Sequence, residues 1–109
     1  MIRSGDVATA EFPGAEATKR RPCVVVSTQL YHQTRPDVIL GLLTSRTSVA
    51  VDPSDYVLQD WSVAGLRKPS AFRTFLFSLP AGSITVIGHL TDRDWNGVQT
   101  AVGNAVSSV

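Results

Sequence analysis

The chain predicts a mainly β fold of the α+β type, a small barrel or curled sheet with one C-terminal amphipathic helix. Three observations carry that expectation. Short apolar runs recur from Val7 to Leu90, each bounded by Gly, Pro, Asp or Ser, the pattern of many short strands. The period then changes, with Trp95, Val98, Val102 and Ala105 or Val106 falling on one face of a helix. At 109 residues with no internal repeat or low-complexity tract, residues 1–109 form a single domain, large enough to bury a core without a disulfide staple.

Gly5-Asp6 reads as a turn before a first strand, Val7 to Phe12. Pro13-Gly14 opens a loop that runs through Thr18 and the cations Lys19-Arg20-Arg21. Pro22 fixes where Arg21 leaves that loop, and Cys23 to Ser27 is too short and too β-branched for anything but a buried strand. Thr28 to Asp37 is a loop or short helical turn. Val38 to Thr44 is a continuous apolar run, as in a strand covered on both faces.

Ser45-Arg46-Thr47 makes a tight connection into Val49-Ala50-Val51, and Asp52-Pro53-Ser54-Asp55 punctuates before a short strand at Tyr56-Val57-Leu58. Gln59 to Pro69 is irregular, Ser70 to Leu79 alternates as a long strand, Pro80-Ala81-Gly82 turns, and Ile84 to Leu90 is the last strand. Thr91 or Asp92 caps the helix, whose first turn carries Asp92 and Asp94 at the positive end of the dipole. Such a helix covers an opening or edge of the sheet.

Composition narrows the function. A net charge of +1 excludes a histone-like polycation and makes any nucleic-acid binding a matter of local patches. The single cysteine, Cys23, excludes an internal disulfide and a cysteine-rich zinc motif and fits a reducing cytosol. No run is long enough to span a bilayer, and the N-terminus lacks a signal-peptide h-region; a cytoplasmic location and no membrane partner are expected. His32 and His89 are far apart in sequence, no carboxylate has the spacing of a ligand set, and no phosphate-cradling glycine loop or glycine-flanked serine occurs. No metal and no cofactor are therefore expected. Cys23, inside a buried strand, reads as an inert thiol.

What remains is Arg, Lys, Thr and Ser. RNA supplies its own nucleophile, the 2′-hydroxyl, so this set suffices for cleavage if the protein aligns the atoms and neutralises charge growing on the phosphoryl oxygens. A guanidinium holds two phosphate oxygens at once, and a hydroxyl such as Thr44, at a strand end, donates a further hydrogen bond. DNA, lacking the attacking hydroxyl, would be inert.

Gly5-Asp6-Val7, Glu11-Phe12-Pro13, Lys19-Arg20-Arg21-Pro22 with Val24-Val25-Val26-Ser27, Leu43-Thr44-Ser45, Gly65-Leu66 with Pro69-Ser70, and Ile87-Gly88-His89-Leu90 occur in this order. The series resembles the MazF/PemK (Kid) family of toxins from type II toxin–antitoxin systems, over nearly the whole chain. The resemblance implies a dimeric SH3-like β-barrel of CcdB/PemK type with a C-terminal helix. It implies a metal-independent, sequence-specific endoribonuclease that cuts single-stranded messenger or ribosomal RNA, leaving a 2′,3′-cyclic phosphate and a 5′-hydroxyl. It also implies an antitoxin whose extended acidic C-terminal tail lies in the RNA groove.

In the family, the arginine before the motif proline and the threonine of the Thr-Ser pair carry catalysis, matching Arg21 and Thr44. An arginine is almost never deprotonated, so Arg21 is assigned to clamping the phosphate rather than to acting as base. Ser45 assists Thr44. Lys19, Arg20, Arg46, Ser70 and Arg73 are candidate RNA-binding residues, with Lys19 and Arg20 tracking the backbone without reading sequence. One departure is visible: where family members often carry an Arg-Thr-apolar-Asp pattern late in the long strand, this chain reads Phe77-Ser78-Leu79-Pro80, and Arg73 lies earlier on that strand.

Alternatives stay open at this level. Arg21 and Thr44 also read as a solvated cation and a strand end bonded to its own turn. Arg67 either extends the groove or solubilises a loop; His32 is a surface residue or a base-stacking one; Trp61 is a barrel plug or an exposed platform. A non-enzymatic toxin or binding module on the same fold, like the gyrase-poisoning CcdB or an attenuated RNA- or antitoxin-binding member, is the competing function. The chain's end, Val106-Ser107-Ser108-Val109, lacks the aromatic that CcdB uses.

Overall fold

The computed structural model describes residues 1–13, 18–50 and 52–107. Its six strands are β1 (Asp6–Pro13), β2 (Thr18–Val25), β3 (Asp37–Thr44), β4 (Asp55–Val57), β5 (Ala71–Pro80) and β6 (Ile84–His89), with helices α1 (Gln29–Thr34) and α2 (Asp92–Ala105). The strands form one antiparallel sheet in the order β4-β5-β3-β2-β1-β6. The fold class is the expected one, a mainly β sheet with a C-terminal helix.

Period-2 alternation gives the sheet two apolar faces. Val7, Val24, Leu43 and Phe72 point to one face, where Val98 and Ala101 of α2 and the segment bearing Leu58 and Ala64 cover them. Ala8, Ala10, Cys23, Val25, Val38 and Leu40 line the other, with Phe12, Phe77 and Leu79 packed alongside. Strands that bury both faces read as unbroken apolar runs, which is why β3 looked continuous in sequence.

Two expectations are corrected. Lys19, Arg20, Arg21 and Pro22 do not lie in a loop: they belong to β2 and pair with Phe12, Glu11, Ala10 and Thr9 of β1. Antiparallel pairing to a long β1 holds them extended although most are charged. The β2–β3 ladder covers only Cys23 to Val25, so it stops where Pro22 has no N–H to offer. At the other end of the chain, Trp95 and Val102 pack against the core, but Ala105 and the C-cap Val106 are exposed. Residues 14–17, where the sequence predicts a loop, together with Val51, Ser108 and Val109, lie outside the described residues.

The sheet is curled rather than closed by hydrogen bonds, since β4 and β6 do not pair. The segment Gln59–Pro69 bridges its two edges. Its Gly65 adopts φ +90° with its Cα side facing the Ile87 carbonyl, and a Cβ on Gly88 would collide with the Ala64 carbonyl. Both positions require glycine for backbone to meet backbone. Trp61 packs against the core here as a plug.

The other end of that segment is held by Asp94. It is fully buried and accepts hydrogen bonds from Tyr56 Oη at 2.8 Å, Gln59 N at 2.9 Å and Asp60 N at 2.8 Å. Three donors compensate a desolvated carboxylate. Thr91 is the N-cap, accepting from Asp94 N at 3.4 Å. It also donates to Asp60 Oδ2 at 2.7 Å, while Arg93 grips the same carboxylate with two nitrogens, at 2.6 and 3.2 Å. Burial, then the Asp94 bond, pushes the Tyr56 hydroxyl up to about 12, so it stays a donor at any physiological pH. Gly97 is required because a Cβ there would strike the Tyr56 ring.

Replacing Asp94 by Ala should cost about 3 kcal/mol, since it strands buried donors that each carry a penalty of about 1–3 kcal/mol. Tyr56→Phe, which removes one donor and leaves the acceptor satisfied, should cost about 1 kcal/mol. Urea melts of the two variants would check both the size and the order.

Candidate functional site: a cationic cleft at the end of β2 and β3

The β2–β3 pairing ends at Cys23↔Leu42, two residues short of Arg21 on one strand and of Thr44 on the other. The ladder itself no longer joins them there, so the strands are free to separate. A cleft of about 380 Å³ opens at this point. It is lined by Arg20, Arg21, Pro22, Leu43, Thr44, Ser45, Arg46, Leu66, Arg67, Lys68 and Ser70. Four segments contribute: β2, the β3 end with its turn, the end of the bridging segment, and Ser70 just before β5.

Half of the chain's ten Lys and Arg residues line this cleft, and among the described residues no carboxylate does. The ion pairs among the described residues fall on Arg3, Arg35, His89, Arg73 and Arg93, so none neutralises the cleft. A chain of net charge +1 thereby concentrates a positive potential in one place, the footprint of a polyanion site.

Arg21 is exposed and sits on the same sheet face as Cys23, by alternation. Thr44 is half-buried, and its Oγ1 accepts from Arg46 N at 3.1 Å. The turn bond that a structural reading foresees is therefore present. It uses a lone pair and leaves the hydroxyl proton free to donate outward. Ser45 and Arg46 are exposed at the rim. Ser70 is buried and donates to Lys68 O at 2.9 Å, so it shapes the loop that presents Lys68.

Of the remaining candidates, Arg20 lines the cleft while its Nη2 donates to Thr85 Oγ1 of β6 at 2.7 Å. Lys19 is exposed one residue beyond the lining. The structure does not bring Arg73 to the cleft. Its Nε lies 3.6 Å from Asp55 Oδ1, and both border a separate hollow with Leu42, Thr74 and Phe75. Asp55 pairs across to Arg73 in the β4–β5 register, and its Oδ2 is buried without a partner.

Arg67 belongs to the cleft, and Lys68 is the cation that sequence reasoning missed. A signal existed: Arg67-Lys68-Pro69 repeats the two-cations-then-proline pattern of Arg20-Arg21-Pro22. His32 is elsewhere, its Nε2 2.6 Å from Ser27 Oγ. His89 Nδ1 lies 2.8 Å from the buried Asp6 Oδ1, an anchor of β6 to β1. Among the described residues, no three His, Cys, Asp or Glu side chains come together as a metal site.

Cys23, two residues from Arg21, is wholly buried with its Sγ 3.5 Å from Ala8 O. Burial pushes its thiol up to about 12, against the opposing pull of the Arg20 charge.

The fold and the cleft together define a small, mainly β protein with its cations concentrated in one cleft. The chain belongs to the PemK-like, MazF-like toxins of type II toxin–antitoxin systems, whose family model matches residues 3–106. Solved structures share the fold at low identity. A mycobacterial endoribonuclease in complex with its cognate antitoxin superposes with TM-score 0.79 at 18% identity, covering 96% of this chain and 94% of that one. The Mycobacterium tuberculosis toxin MazF-mt6 gives 0.74 at 20%, covering 92% and 94%. A MazE–MazF complex from Deinococcus radiodurans gives 0.74 at 18%, covering 99% and 97%. No curated protein sequence matches significantly.

The native protein at pH 8 should not react with iodoacetamide at Cys23 and should react fully once unfolded, as mass spectrometry would show. Because the unfolded thiol ionises near 9 and the folded one near 12, the unfolded state binds fewer protons between those values. This residue's contribution to stability is present below pH 9 and is lost as pH rises through that window.

Proposed function

We propose that this toxin is an endoribonuclease that cuts single-stranded messenger or ribosomal RNA without a metal ion, in the cytoplasm, and acts as a homodimer restrained by an antitoxin. The observation that carries the reading is that Arg21 and Thr44 line one cationic cleft, which has no carboxylate among its described lining residues, in a member of this toxin family.

The chemistry follows from the lining. The substrate's 2′-oxygen attacks the adjacent phosphorus as the bond from phosphorus to the 5′-oxygen breaks, giving a 2′,3′-cyclic phosphate and a 5′-hydroxyl. Arg21 holds two phosphoryl oxygens through its planar fork and stabilises the charge that grows on them. It also stands ready to hydrogen-bond the departing 5′-oxygen, which takes up a proton. Thr44 donates its free hydroxyl proton to a phosphoryl oxygen, with Ser45 assisting. No lining side chain has the chemistry of a base at neutral pH, since the guanidinium groups stay protonated. The 2′-hydroxyl proton therefore leaves to solvent or to a phosphate oxygen. Arg20, Arg46, Arg67 and Lys68 hold the flanking backbone, with Lys19 beyond them.

The same field suits an acidic, extended antitoxin tail, which would compete with RNA for the cleft. Support for such a partner comes from the structural neighbours described in complex with a cognate antitoxin or with MazE.

Wild-type protein in EDTA should cleave a long single-stranded RNA to cyclic-phosphate ends. Arg21→Ala should lower the rate on the order of 100-fold or more, and Thr44→Val on the order of 10-fold or more, both measured on gels with end-group mapping. Intact RNA with folded wild type would sink the proposal. In a salt titration of RNA binding, Lys68→Ala should weaken affinity across unrelated sequences and flatten the log–log slope by about 0.7.

A further inference from the structure

Arg21 borders a second hollow as well as the cationic cleft. On the sheet face away from α2, a concavity of about 430 Å³ has Phe12, Arg21, Leu42, Phe75, Phe77 and Leu79 in its wall. Alternation along β1, β2, β3 and β5 puts these six on one face, so the hollow is a feature of side chains meeting across strands. Its origin is the irregularity in the β3–β5 pairing. Gly41 faces Leu76 but Leu42 faces Arg73, leaving Thr74 and Phe75 unmatched on the bulged strand. A bulge re-aims a side chain, and Phe75 is left 63% exposed. Beneath it Phe12 and Phe77 meet edge-to-face, centroids 4.4 Å apart.

An exposed aromatic over an apolar floor, walled by a cation that is shared with a polyanion cleft, is matched to one kind of occupant. It must carry a flat apolar ring and a phosphate a few ångströms away. We infer that this hollow receives an unstacked nucleobase of the RNA strand whose phosphate Arg21 holds, with Phe75 as its stacking platform. The inference rests on the RNA-cleavage reading for the identity of the strand, but it concerns binding. Glu11 and Ser78 also border the hollow, but alternation turns them toward the other face of β1 and β5, so the base is held chiefly by stacking area. Purines are favoured over pyrimidines and no particular base edge is read.

The test separates the base from the backbone. Three fluorescein-labelled octamers of equal charge are titrated in EDTA by anisotropy: 2′-fluoro adenylate, 2′-fluoro uridylate, and an abasic sugar-phosphate chain. The fluorine removes the attacking hydroxyl, so binding is read without cutting. Wild type should bind the adenylate octamer most tightly and the abasic one least. Phe75→Ala should lower adenylate affinity on the order of 10-fold while leaving abasic affinity unchanged, and Phe75→Leu, which keeps most of the packing, should fall between. Thermal melts confirm folding of each variant.

Equal loss on all three octamers, or no loss on any, overturns the inference. So does a sedimentation result in which Phe75→Ala converts a wild-type dimer to monomer, since a second copy of the chain would then be the occupant. Cleavage of ordinary RNA by the same proteins is scored separately. A base-dependent effect of Phe75 in a protein that never cuts would keep the pocket and remove the nuclease. Cutting with additive, base-independent binding would do the reverse.

Discussion

The buried carboxylate of Asp94 is the contact on which the rest of the molecule depends. It sits in the first turn of α2, yet its acceptors are spent on Tyr56 of β4 and on the backbone that leaves β4. One side chain therefore ties the last element of the chain to the segment that bridges the two sheet edges. That segment ends in Leu66, Arg67 and Lys68, which form one wall of the cationic cleft. Fixing its start at Asp94 and its middle at the Gly65–Gly88 backbone contact leaves little freedom in where its cations end up. The site inherits its geometry from the closure of the fold.

The opposite wall is made by interruption rather than by closure. β2 continues past the point where β3 stops pairing with it, because Pro22 cannot donate and because Thr44 turns the chain into Ser45 and Arg46. Unpaired strand ends at a sheet's mouth expose polar groups to a ligand instead of to one another. The arrangement gathers cations that repel each other, with no carboxylate among the described lining residues to relieve them. Such a site costs stability that a bound polyanion restores, which fits the proposed action on RNA and restraint by an acidic tail.

Much of this was legible in the sequence. Strand-length apolar runs, the change of period at Trp95 and the N-cap at Thr91 follow from local rules that act within a few residues, and the structure keeps them. The cation–proline segment and the Thr-Ser pair identified one edge of the cleft. Sequence misread Lys19 to Pro22 as loop because charge and proline argue against a strand, while the pairing partner that overrides them, β1, is a nonlocal fact. It passed over Lys68 although the repeated cation–proline pattern was in view, because nothing local says that two such segments meet. Arg73 looked like groove and proved to be paired with Asp55 of the adjacent strand.

Composition and periodicity by themselves determined the class of fold and a buried thiol at Cys23, and they pointed to a site made of guanidinium, ammonium and hydroxyl groups. These depend on residue type and short-range spacing, which the chain carries explicitly. Only the tertiary structure decided that Arg21 and Thr44 line one cleft, that Arg67 and Lys68 complete it, that Asp94 locks the fold, and that a bulge at Thr74-Phe75 leaves an aromatic exposed near Arg21. Each of these is a register or a crossing between segments far apart in sequence. Register is set by the sum of many burials over the whole sheet, and no single stretch of residues contains it.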